Sequence, residues 1–189
     1  MQMSFEAALI LYCSPALAGL KPANLFLYRE VDTAQVKKEA AHWSSLLGPF
    51  GVAVKVLRSC GSEKTSLVYV YRKAQLESIL AGQSTRVFLE KLGYVVGQGS
   101  ALPLCQLSAK LCTARDFPHE IGIFLGYPLA DVIAFVKNHG ENCAYCGTWK
   151  SYGDPQAAKQ YAARCSKCSR IYRERFRHGT PILQLVVAA

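Results

Sequence analysis

The chain has 189 residues, 51% hydrophobic and 19% charged, with a formal net charge of +9. That is enough apolar material for a true core and excludes a disordered segment, and the length suits a single domain over 1–189. No apolar run is long enough to cross a bilayer, and the basic balance points to an acidic partner or nucleic acid.

Near the start, Ala16-Leu17-Ala18-Gly19 is similar to a signal-peptidase site, but no basic region precedes the apolar stretch and Glu6 does. A short amphipathic helix is expected instead. Ser4 caps it, Phe5, Ala8, Leu9 and Tyr12 share one face, and Pro15 follows its end. A cytoplasmic location is expected with it. "ANLFLYRE" reads as a strand, and "DTAQVKKEAAHWSSLLGP" as a helix capped by Asp32 or Thr33, with Val36, Ala40, Trp43 and Leu47 as its apolar stripe. "VAVKVL" and "TSLVYVYR" alternate like strands paired through a turn at Gly61. "AQLESILAG", "STRVFLEKLG" and "LPLCQLSAKLC" read as three short helices, the last with Pro103 in its first turn.

Ile121 to Leu125 is short and apolar on both faces, which predicts a buried central strand. Gly126-Tyr127-Pro128 turns it into the helix "LADVIAFVKNHG", with Val132, Phe135 and Val136 inside. "CAYCGTWKSYG" is expected as a strand or hairpin, and Asp154-Pro155 opens the longest helix, to about Gly179. Strands separated by helical patterns imply an α/β or α+β domain, a small central sheet flanked by helices with a long basic helix at the C-terminal end.

The titratable pair His119 and Glu120, directly before the apolar run, is the first candidate site. On an extended strand adjacent residues face opposite ways, so the two make no dyad. At about 3.3 Å per residue His119 also lies too far from Tyr127 to share a proton, unless the chain bends at Gly122 or Gly126. The plain alternative has His119 on a loop carbonyl and Glu120 paired with a nearby Lys or Arg. Cys13, just past a helix end and followed by Lys21, is a candidate nucleophile, with His119 as base.

Eight cysteines suggest thiols or metal rather than a disulfide frame. Cys60, Cys105 and Cys112 are expected as small buried hydrophobes. Cys143 and Cys146, followed by Cys165 and Cys168, have the spacing of a four-thiolate site for zinc or iron, which would make 143–179 a metal-binding hairpin and helix. The second pair also falls on the apolar stripe Ala158, Tyr161, Ala162, Cys165, Cys168 and Tyr172, where thiols simply pack. Both readings stand. From Gly147 to His178, eight Lys or Arg face only Asp154 and Glu174. Such a helix could grip phosphates, but its aromatics lie toward the buried stripe.

Three blocks together, "CSPALAGLKPANLF", "FPHEIGIFLGYPLADVIAFV" and "GTWKSYGDPQAA", resemble a family of small proteins of unknown function from anaerobic Firmicutes, chiefly Clostridia. The resemblance spans nearly the whole chain and implies a cytoplasmic protein without an assigned activity, encoded near flavodoxins and ferrous-iron transport. It implies that Lys21, His119, Glu120, Gly126, Tyr127, Trp149 and Lys150 hold motif positions, with Tyr127, Trp149 and Lys150 lining a ligand pocket. Thr148 and Ser151 depart from the family pattern, and the Cys143–Cys146 pair is not part of it. The expectation that follows is a metal- or redox-linked accessory protein that docks an acidic partner such as a flavodoxin. A small enzyme using Cys13 or His119 with Lys21, and a nonspecific nucleic-acid binder, are the alternatives.

Overall fold

The computed structural model describes residues 3–29, 32–60, 62–97, 99–114 and 116–188. At its centre is a three-stranded antiparallel sheet of β1 (Ala23–Arg29), β2 (Val52–Cys60) and β3 (Thr65–Arg72), in the order β1-β3-β2. Central β3 is buried on both faces, which is why "TSLVYVYR" is so apolar. Register follows its alternation: Val68 and Val70 face one layer of helices, Leu67 and Tyr69 the other. In β2 the pairing steps from Val56 to Arg58, so Leu57 is the extra residue of a bulge and reaches the second layer. The β2–β3 pairing is as expected; the turn at Gly61 lies outside the described residues.

The first layer holds α1 (Phe5–Leu17), α2 (Thr33–Leu47) and the short α9 (Ile182–Leu185). Asp32, not Thr33, caps α2, accepting from the Ala34 N–H at 2.8 Å. Ser4 caps α1 as its position suggests. The helix is not amphipathic, however: it is buried on nearly every side, runs through Pro15, and leaves Tyr12 45% exposed. Packing explains this. Leu9, Ile10 and Leu17 are fully buried, each contributing about 2 kcal/mol, and together they outweigh the one backbone bond that Pro15 forfeits.

The second layer is built by α3 (Lys73–Ala81), α4 (Gln83–Lys91), α5 (Ala101–Thr113), α6 (Ile121–Phe124) and α7 (Leu129–Lys137). The expected strand at Ile121 to Leu125 is corrected here: the segment is the helical turn α6, closed by the Leu125 N–H on the Ile121 carbonyl at 3.0 Å. Five apolar residues show no period that separates a buried strand from a buried helical turn. Tyr69 decides the matter physically, donating its hydroxyl to the Phe124 carbonyl and so seating α6 on the face of β3. In α7 Val132 is buried and Phe135 half-buried, while Val136 points outward.

The chain then forms the hairpin β4 (Tyr145–Cys146) and β5 (Lys150–Ser151), and α8 (Pro155–Arg177), capped by Asp154 and lying along α1. Its inward stripe is the expected one, with Ala158, Ala162, Cys165 and Cys168 buried.

Candidate functional site

Two glycines shape the site before any functional side chain does. A Cβ on Gly122 would stand 2.9 Å from Val132 Cγ2, so only glycine lets α6 close against α7. Gly126, at φ +78°, ends α6 in the left-handed region and reverses the chain toward Pro128. The bend returns Tyr127 over α6, its N–H on the Gly122 carbonyl at 2.9 Å. Tyr127 and His119 therefore line the same cavity, which an extended strand would have forbidden.

The cavity has a volume of about 230 Å³. Ile121, Leu125, Val132, Phe135 and Trp149 line it, with His119 and the 46%-exposed Phe117. Four sequence-predicted residues, His119, Tyr127, Trp149 and Lys150, are gathered here from segments some thirty positions apart.

Each polar group around it, except one, is already engaged. Asp131, 5% exposed, accepts from Trp149 Nε1 at 3.0 Å and from the backbone N–H groups of Tyr152 and Gly153 at 2.8 and 3.2 Å. It thus clamps the hairpin to α7 and fixes the indole. Trp149 stacks on Tyr127 at 5.4 Å and meets Tyr161 edge-on. Lys150 donates to the Gly140 carbonyl at 2.7 Å, a cation closing the C-terminal end of α7. His119 lies beside Phe135 with ring centroids 5.0 Å apart and the planes tilted by 59°, and its imidazole makes no hydrogen bond among the described residues.

The other expected residues go elsewhere. Glu120 turns away from the cavity, accepting from Tyr94 at 2.9 Å and pairing with Lys110 at 3.2 Å, the plain reading of that carboxylate. Lys21 lies in a separate groove, its ammonium 4.9 Å from the centroid of the Tyr127 ring. Cys13 is fully buried in the first layer and lines neither the cavity nor the groove. Burial pushes its thiol pKa far above the usual range, only partly opposed by Lys21, the reverse of what a nucleophile needs.

The four cysteines with metal spacing are not gathered. Cys146 is exposed on the hairpin, while Cys165 and Cys168 are buried against α1, with Cys168 donating to the Ser14 carbonyl at 3.7 Å. Burial raises both thiols, Cys168 to about 11. Among the described residues no three His, Cys, Asp or Glu side chains are grouped so as to hold one ion.

The expectation that Cys60, Cys105 and Cys112 are buried is also corrected. Cys60 is half-buried at the end of β2, and Cys105 and Cys112 are exposed because Leu104, Leu107 and Leu111 take the buried face of α5. Hydrogen bonds from the Ser62 hydroxyl and from the Glu63 backbone lower the Cys60 thiol pKa. Iodoacetamide at neutral pH should therefore label Cys60, Cys105, Cys112 and Cys146 in the native protein. Cys13, Cys165 and Cys168 should react about a hundredfold more slowly, until denaturant opens the core. Mass spectrometry of timed digests measures this, and rapid labelling of Cys13 would contradict the burial described.

Sequence reasoning missed Asp131 and Arg72, and gave Tyr161 a place on the α8 stripe without its contacts to Leu20 and Trp149. The only hint for Asp131 was an acid in the first turn of an otherwise apolar helix. Residues 9–186 match the pattern of a protein family described as "Protein of unknown function (DUF3793)". The chain belongs to the DUF3793 family. The match runs from within α1 to the end of α9 and so includes the whole cavity and the Lys21 groove. No curated protein and no solved structure matches the chain. Among the described residues no helix is long and apolar enough to cross a membrane.

Proposed function

We propose that this chain binds a compact, largely apolar metabolite in the cavity beneath His119, with the ligand's polar group held by the imidazole. The observation that carries this reading is an apolar cavity in which His119 is the polar side chain left uncommitted among the described residues. The cavity is at the small end for ligand pockets, which sets the size class, and its aromatic walls favour a flat ring. Benzoate and indole are suitable probes. Either should raise the melting temperature and quench Trp149 saturably, and His119→Ala should weaken benzoate by about tenfold while changing stability by less than about 0.5 kcal/mol. Equal benzoate affinity in His119→Ala would remove the role given to the imidazole.

A second feature supports the accessory role that the family resemblance implies, in the cytoplasm and alongside iron and flavodoxin metabolism. Lys159, Arg164, Lys167, Arg170, Arg175 and Arg177 are exposed along α8 without a carboxylate partner among the described residues. This face fits an acidic protein such as a flavodoxin. Stacking on nucleic-acid bases is not supported there, because Tyr161 donates to the Leu20 carbonyl and Tyr172 and Phe176 pack on the first core. Flavodoxin binding should fall about tenfold between about 50 and about 200 mM salt. Salt-independent binding, or preference for duplex DNA over flavodoxin, would count against docking by charge.

A further inference from the structure

Lys21 is a buried cation without an anion. It is 6% exposed, yet it makes neither a hydrogen bond nor an ion pair among the described residues; the face of the Tyr127 ring is its nearest compensation. Burial lowers its pKa, opposed by the neighbouring sulfurs of Cys165 and Cys13. Both thiols are themselves raised, so neither supplies a negative charge near neutral pH. The stem is buried while the ammonium still reaches the groove, and a cation so largely desolvated without an anion costs the fold stability.

Lys21 opens onto a groove of about 390 Å³ between α1, β1 and α8. No acidic residue lines it. Arg173 stands at its rim, held by its Nε–H on the Ser169 carbonyl at 3.1 Å, which leaves the outer guanidinium nitrogens for a ligand. Ser166 adds a hydroxyl, and Asn24 a side-chain amide whose oxygen already accepts from the Ala16 N–H at 3.1 Å, which turns its NH₂ donors to other partners. Two cations and neutral donors around one concavity are the chemistry of anion capture.

We propose that this groove is a second ligand site, and that it takes the oxyanion group, phosphate or carboxylate, of a small metabolite on Lys21 and Arg173. Groove and cavity share only Leu125 and Tyr127, so the site stands apart from the one beneath His119.

The test is calorimetric titration of the full chain with inorganic phosphate in one arm and succinate in the other. At least one should bind saturably at one site per chain, and which one does so identifies the oxyanion. Lys21→Met keeps the packed stem and removes the charge. It should weaken that anion by at least about tenfold and yet melt no lower than the parent, a combination that a merely structural lysine would not give. Arg173→Gln, at the partly exposed rim, should weaken it by about threefold or more, and it decides the matter should Lys21→Met fail to fold. His119→Ala should leave anion binding unchanged, so failure of one site is read separately from failure of the other. Neither anion binding tighter than about 10 mM, or unchanged affinity in the Lys21 and Arg173 variants, would overturn the proposal.

Discussion

Arg72→Ala should destabilise the protein by about 4 kcal/mol, seen as a fall of roughly 12 °C in melting temperature. The side chain is 2% exposed at the end of β3 and has no carboxylate partner among the described residues. It donates instead from Nε to the Ala16 carbonyl and from Nη2 to those of Leu17 and Val187, each at 2.7 Å. The first two are carbonyls of the last turn of α1, each also accepting one backbone N–H at 3.1 Å, from Gly19 and Val187, and the helix dipole draws a cation toward them. Truncation would strip the charged donor from all three: the Ala16 and Leu17 oxygens would keep only the Gly19 and Val187 N–H groups, at 3.1 Å each, and the carbonyl of exposed Val187 would turn to water. Arg72→Lys, with one ammonium in place of a planar fork, should recover less than half the loss. A melting temperature within about 3 °C of the parent in Arg72→Ala would show that these bonds are replaced by water at little cost.

Gly126→Ala should cost about 3 kcal/mol, from two separable causes. At φ +78° an L side chain is strained by about 1 kcal/mol, and the new Cβ would stand 2.7 Å from Pro22 Cδ and closer still to Cγ. Pro22→Ala removes those two atoms. The double variant should therefore be less destabilised than the sum of the single ones, leaving mainly the backbone strain. Because Gly126 sets the position of Tyr127, Gly126→Ala should also abolish benzoate binding in the protein that remains folded. Additive effects of the two substitutions would mean that the loop shifts away from Pro22 freely.

The sequence discloses what is local and hides what is distant. The helices α2 and α8 were legible because each begins with its own cap, Asp32 or Asp154, and repeats its apolar stripe over several turns. The hairpin over Tyr145–Ser151 and the sheet strands alternate, and they too were legible. The segment Ile121 to Leu125 was not, since both of its structural options bury every side chain. That single ambiguity decided the candidate site. As a strand it separates His119 from Tyr127, whereas as a helical turn it brings them to one cavity and sends Glu120 to Lys110.

Arg72 and Asp131 were illegible for a different reason. Their partners lie 55 and 115 residues away for Arg72 and 18 to 22 for Asp131, separations that no period or spacing rule encodes. In the cysteine pattern, Cys165 and Cys168 are buried on α8, with Cys168 on the Ser14 carbonyl of α1, while Cys146 is exposed on the hairpin. Spacing along a chain gives the ligands a metal would need, and only packing says whether they meet.

The ligand site beneath His119 is tested most directly by NMR of the two tryptophan indole N–H groups in isotope-labelled protein during titration with benzoate. Trp149 lines the cavity with its N–H on Asp131, while Trp43 packs against the opposite layer and serves as an internal reference. The Trp149 resonance should shift saturably and the Trp43 resonance should stay in place. A Trp149 resonance that does not move, or two resonances that drift together without saturation, would contradict the site.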